Sequence, residues 1–217
     1  MKIEIACVNK SSDYNELVEL YHKSADPRIS TLCIPSSLIN RYPELTTYLD
    51  ICGIVDYPHG LADTSVRVFE SLFFAKRGVS KIDLVLNNIH VAEWNLYEIE
   101  NDAKAVSNVC LEYDIELRII LEYKLFNPHK LRKVCDMLYS LGVKTVVTAT
   151  GQIADTTVDH AIFGYEVNTI SGLDVIMCSR LWSQRHIDVF KNVNPSGFRF
   201  ISLDSAKTYL NKLDFGV

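Results

Sequence analysis

Residues 142–152 read GVKTVVTATGQ: a glycine that closes one helix, a short β-branched strand, and a Thr-Gly turn. Glycine just past a helix takes the left-handed backbone at little cost, and β-branched residues suit a pleated strand. The turn after the strand offers backbone N–H groups of the kind that hold phosphate. Side chains alternate along a strand, so Val147 and Lys144, three residues apart, face opposite ways. With Lys144 directed to the outer helix layer, Val147 points inward near the mouth of its strand.

The same alternation of strand and helix recurs along the whole chain. Strand patterns fall at 2–8, 31–34, 51–55, 82–86, 116–121, 144–148, 166–170 and 198–202, with helical spacing at 12–24, 41–49, 63–77, 91–113, 128–141, 155–163, 173–192 and 204–213. Helix starts are signalled by Asp63, Asn127-Pro128 and Asp204, and helix stops by Gly78 and Gly142. Nearly continuous apolar strands alternating with helices imply parallel strands under a helical cover. Eight such units predict an α/β fold, a (β/α)8 TIM barrel somewhat shortened around helix 6. A doubly wound open sheet is the runner-up, disfavoured because no GxGxxG follows the first strand. A chain of 217 residues with 48% hydrophobic content buries a full core as a single domain spanning 1–217.

Composition removes several function classes. With 22 basic and 27 acidic residues the net charge is −5, and no basic run advertises a nucleic-acid partner. Apolar stretches are strand-sized, which predicts no membrane span. MKIEIACVNK opens on a strand pattern without the apolar core of a secretory signal, so a cytoplasmic protein is expected. The six cysteines are scattered singly and read as buried reduced thiols; no two of the six histidines share metal-ligand spacing on one face. No metal and no cofactor are expected, and a homo-oligomer is left open.

In a (β/α)8 barrel, chemistry sits where strands end and βα loops begin. That rule selects Asn9-Lys10, Pro35-Ser36-Ser37, Asp56 to Gly60, Asn87-Asn88, Glu122-Tyr123-Lys124, Thr148 to Gln152, Ser171-Gly172 and Ser202 to Ser205. For any one of these the ordinary reading is turn chemistry. The two Gly-bearing turns after strands 6 and 7 lift the set as phosphate-binding candidates: Thr150 and Gly151 in one, Ser171 and Gly172 in the other. His59, in the tight PHG turn, suits a structural role or an anion.

The succession CIP, VDYPHG, a helix ending AKRG followed by KIDLVLN, then RIILEYKL, GVKTVVTATGQ and a later Ser-Gly turn resembles the deoxyribose-phosphate aldolase family over about residues 31 to 205. PHG at 58–60, the IDLV strand holding Asp83, and TATG at 148–151 carry the resemblance most specifically. It implies a (β/α)8 barrel that cleaves and forms a carbon–carbon bond between acetaldehyde and glyceraldehyde 3-phosphate. The implied machinery is a Schiff-base lysine on strand 6, an aspartate on strand 4, a second lysine on strand 7, and glycines and serines after strands 6 to 8 for the phosphate.

Position by position, Asp83 matches the family aspartate, Gly151 the strand 6 turn, and Ser171-Gly172 part of the strand 7 motif. The Schiff-base position falls on Val147 and the helper lysine on Thr169; the second strand 7 glycine becomes Leu173, and the strand 8 turn reads ISLD at 201–204. Only a stub of helix 6 fits before strand 7. A Schiff base needs an amine held partly neutral by desolvation or a neighbouring cation, and valine offers none. The expected protein is therefore an aldolase-like barrel, a pseudoenzyme for the conventional lyase reaction. It binds a small phosphorylated or carbonyl ligand or serves as a scaffold. The alternative is an active lyase or isomerase using Asp83 with Lys10 or Lys124. Asp83 itself reads more readily as a buried acid tied to Thr145, Asn87 or Arg118.

Overall fold

In the computed structural model of the chain, residues 2–8, 28–48, 50–153, 157–180 and 183–214 are described. The eight strands are β1 (Lys2–Ala6), β2 (Ile29–Ile34), β3 (Ile51–Val55), β4 (Lys81–Val85), β5 (Glu116–Ile120), β6 (Thr145–Val147), β7 (Asp174–Ser179) and β8 (Gly197–Phe200). All pair in parallel with their sequence neighbours, and β8 returns to β1, so the sheet closes as the predicted barrel. The helices are α1 (Ser36–Arg41), α2 (Leu45–Tyr48), α3 (Thr64–Ala75), α4 (Asn88–Glu93), α5 (Leu96–Glu112), α6 (Pro128–Ser140), α7 (Val158–Ser171), α8 (Gln184–Asn192) and α9 (Leu203–Asp214). The helix expected over 12–24 lies outside the described residues, as do Asn9 and Lys10.

Local chemistry explains the boundaries. Asp63 caps α3 by accepting the Ser65 N–H, and Asn127 caps α6 ahead of Pro128. Gly78 and Gly142 stand at positive φ just past α3 and α6. At the start of α9 the cap is Ser202, whose hydroxyl accepts the Ser205 N–H; Asp204 falls in the first turn instead. The segment expected as one helix over 91–113 is two, broken at Trp94, which adopts left-handed backbone between α4 and α5.

The seventh unit differs from its expectation. Residues 166–170 are the second half of α7, and strand 7 is Asp174–Ser179, inside the stretch expected to be helical. The helix that follows strand 6 is therefore the 14-residue α7 and not a stub. Thr169 is exposed on α7, and Ser171-Gly172 terminate that helix before β7 begins, with Gly172 at φ +70°. They belong to the opposite end of the barrel from the β7 mouth. The Ser171 hydroxyl donates to Asp136, and Leu173 is buried in the outer core.

Two apolar regions follow from the alternation along each strand. Outward residues such as Ile82, Ile119, Val146 and Met177 pack under the helices in one large core, while inward residues fill the barrel in two small clusters.

Candidate functional site

The barrel interior is built from inward positions of each strand. Register sets Asp83 beside Arg118 and Glu4 beside Arg199. Across the barrel the four close into a ring. Arg118 Nε donates to Asp83 Oδ1 at 2.7 Å and its Nη1 to Glu4 Oε1 at 2.7 Å. Arg199 Nη2 meets Glu4 Oε2 at 2.7 Å, and its Nη1 lies 2.6 Å from Asp83 Oδ2. All four are buried. Burial pushes the carboxyl groups of Glu4 and Asp83 upward, but the two guanidinium groups outweigh it and hold both below the usual carboxylate range. Two acids and two bases leave the ring formally neutral, with each carboxylate committed to both arginines.

Asp83 is thus tied to Arg118, as one reading of the sequence had it, and also to Arg199. The other suggested partners lie elsewhere: the Thr145 hydroxyl donates to Glu116, and Asn87 caps α4. Glu4 and Arg199 escaped the sequence reading, although the signal was present. Each is a single charge flanked by apolar strand neighbours, in KIEIA and in GFRF, and alternation sends such a residue inward.

Toward the mouth the interior turns apolar. Val147 is fully buried against Val85, Ile120, Ile176, Cys178 and Ile201. The inward residues of β7 are Ile176 and Cys178, so that strand carries no interior amine either. Tyr57, from the loop after β3, packs over this cluster and over the one formed by Ala6, Cys33, Cys52 and Ile54. Its hydroxyl donates to the Thr150 carbonyl at 2.6 Å, which fastens the ring across the mouth. Burial is the main cause that raises the Tyr57 phenol above its ordinary value.

The turn after β6 uses its own amides. The Thr150 N–H donates to Glu122 Oε1 at 2.6 Å, and the N–H groups of Gln152 and Ile153 both reach the Thr150 hydroxyl. Glu122 is buried and holds left-handed backbone at φ 49°, a conformation that costs a non-glycine residue energy. Gly151 has a packing reason to be glycine: φ is +72°, and a Cβ there would stand 2.9 Å from Ile201. The PHG turn is equally structural. Gly60 sits at φ +62° where a Cβ would meet the Leu86 carbonyl at 2.3 Å, and the His59 carbonyl accepts from Asn88 while its side chain is exposed.

Lys124 lies on a short 3-10 turn, Tyr123–Leu125, with its side chain exposed, and Lys144 is exposed as expected. A cleft of about 460 Å³ opens beside Tyr57, lined by Ser36, Asp56, Glu70 and Gln152 among others, with no lysine or arginine among the described residues of its wall. The loop carrying Tyr57 is anchored from below by buried Arg67, which pairs with Asp56 and with Asp102 on α5. Inside the barrel, donor atoms of Cys33, Cys52 and Asp83 lie within 4.8 Å of one another. Arg118 Nη2 is 3.8 Å from the Cys33 sulfur, and two guanidinium cations in direct contact make this donor set a poor fit for a metal ion.

A closed (β/α)8 barrel is the class that this architecture defines, and comparison with known proteins says what it resembles. No family model matches the chain. In sequence it is similar to deoxyribose-phosphate aldolases: that of Treponema denticola is 20% identical over 151 residues, 69% of this chain and 70% of the relative. The Clostridium kluyveri enzyme is 25% identical over 151 residues, 69% of each. That of Mycoplasmopsis pulmonis is 30% identical over 144 residues, 65% of this chain and 63% of the relative. In fold it is similar to a tetrameric deoxyribose phosphate aldolase from Aeropyrum pernix, with TM-score 0.80, 14% identity, and 91% and 84% of the two chains covered. An aldolase designated QR15 superposes with TM-score 0.78 at 16% identity over 97% of this chain and 96% of that one. No described helix is long and apolar enough to cross a membrane.

Proposed function

We propose that this chain is an aldolase-type barrel that does not carry out Schiff-base aldol cleavage, and that it binds a small carbonyl- or hydroxyl-bearing ligand at its mouth or serves as a scaffold. The observation that carries the reading is Val147, a buried hydrocarbon in a closed apolar layer, where covalent carbonyl chemistry would require an amine. The neutral ring beneath supports it. A proton-transfer carboxylate has to be available to substrate, and Asp83 is held by two guanidinium groups. A phosphate at the β6 turn is disfavoured because the Thr150 amide already serves the Glu122 carboxylate, and because Asp56 and Glu70 line the neighbouring cleft. The competing lyase or isomerase would need Asp83 released from both arginines and an amine at the site; Lys124 is exposed and would have to move inward to supply one, and Lys10 lies outside the described residues.

Borohydride reduction in the presence of acetaldehyde, followed by intact-mass measurement and peptide mapping, tests this. The expected result is no covalent adduct above that of a surface-lysine control. An adduct mapping to Lys10 or Lys124 at substoichiometric aldehyde would overturn it.

A further inference from the structure

Parallel pairing of β2 with β3 sets Cys33 directly beside Cys52, both directed into the barrel and both fully buried. Neighbouring strands run about 4.8 Å apart, a backbone separation that a disulfide spans without moving the chain. The two sulfurs already lie within 4.8 Å of each other. None of the other four cysteines is placed so: Cys7 belongs to the outer core, Cys178 to the other inner cluster, and Cys110 and Cys135 to α5 and α6.

The surroundings of the two sulfurs differ. The Cys33 thiol donates to Glu4 Oε2 at 3.8 Å, and its sulfur receives Arg118 Nη2 at 3.8 Å, the one Arg118 nitrogen not given to a carboxylate. A guanidinium so placed stabilises negative charge that appears on an oxygen leaving beside the sulfur. Cys52 instead donates to the Gly53 carbonyl, and burial, with Cys33 and Asp83 beside it, keeps its thiol protonated. Val8, Ile54 and Tyr57 pack with this pair and also line the cleft of about 460 Å³ at the mouth. One layer of side chains therefore separates the cleft from the thiols, a short path for an uncharged oxidant little larger than water.

We propose that Cys33 and Cys52 form a redox-active dithiol, which hydrogen peroxide converts to a disulfide inside the barrel. The Cys33 sulfur attacks one peroxide oxygen; the S–O bond forms, the O–O bond breaks, and the departing hydroxide takes the thiol proton to leave as water. The Cys52 sulfur then attacks the sulfenic acid on Cys33, forming the S–S bond and expelling the hydroxyl, which leaves with the Cys52 proton as a second water. Two thiols thus lose two electrons and two protons, and one peroxide is reduced to two waters. Cys33 reacts first because Arg118 faces its sulfur, and Cys52 resolves. This chemistry is independent of what the mouth binds.

Exposing the reduced full chain to a modest excess of hydrogen peroxide, then alkylating it in denaturant and mapping the peptides, tests the proposal. The expected product is a single disulfide joining the Cys33 and Cys52 peptides, reversed by dithiothreitol, with Cys7, Cys110, Cys135 and Cys178 still alkylated. Cys52→Ala should leave the sulfenic acid unresolved, so that dimedone labels Cys33. Cys33→Ala should give neither a disulfide nor a dimedone adduct at Cys52. Tyr57→Ala should speed formation of the bridge several-fold by uncovering the pair. Cys33 and Cys52 both alkylated in the wild type and in Tyr57→Ala would overturn the proposal, whether or not the cysteine variants fold. So would disulfides spread among the other cysteines, or a sulfenic acid on Cys52 in place of Cys33.

Discussion

Glu4, Asp83, Arg118 and Arg199 show how much depends on single residues. Removing one member of a buried, hydrogen-bonded charge group leaves its partner uncompensated in a medium of low dielectric. Arg118→Met leaves two carboxylates sharing one guanidinium, and should cost about 3–5 kcal/mol at neutral pH. The folded carboxyls titrate below their unfolded values, so their stabilisation is complete above the unfolded range and fades as pH falls through it toward the lowered native values. In the variant a stranded carboxylate takes up its proton at higher pH than in the wild type. The gap between variant and wild type should therefore narrow on acidification, and urea unfolding at pH near 7 and near 4 measures it. An equal gap at both would show that packing, not charge, is what Arg118 supplies. Legibility in sequence was uneven at this scale. Val147 could be placed inward from alternation and Asp83 from the family resemblance, whereas the partnership of Glu4 with Arg199 joins residues 195 apart and emerges only when β1 and β8 meet.

Among the elements, β7 shows why periodicity sometimes misleads. The run EVNTI is rich in β-branched residues and reads as a strand, yet it completes α7. That helix is apolar on both sides, with Ile162, Tyr165 and Ile170 exposed while Val167 is buried, so no clean helical stripe stands out. The better cue was Gly172 as a helix stop ahead of the unbroken apolar run in DVIMCS. Where caps and glycines punctuate clearly, as at Asp63, Asn127 and Gly142, the boundaries could be read within a residue or two. Gly53 shows how closely one element can be fitted to the next. A Cβ there would lie 2.4 Å from the ring of buried Phe74 on α3, so Gly53→Ala should destabilise by about 1–3 kcal/mol in a chemical-denaturation experiment. A neutral result would mean that α3 shifts freely on β3.

For the molecule as a whole, repetition of βα units made the barrel legible, but the state of its mouth was not, because Tyr57 reaches across from the third unit to the turn of the sixth. Closure by that ring predicts that native cysteines are shielded. Tyr57→Ala should open the two small inner clusters and accelerate labelling of Cys33 and Cys178 by a thiol reagent, read by peptide mapping. Unchanged labelling would show that the mouth is sealed by something other than the ring.

The ring of charges has a further consequence for vectorial synthesis. While the nascent chain is still on the ribosome and β8 has yet to emerge, Glu4 and Asp83 face Arg118 alone, and a partial barrel would bury a net negative charge. Hydration of those groups is then preferable to collapse, so the first strand stays uncommitted until the eighth arrives, and contacts of such long sequence separation form late. Maturation is thereby expected to wait on the delivery of Arg199.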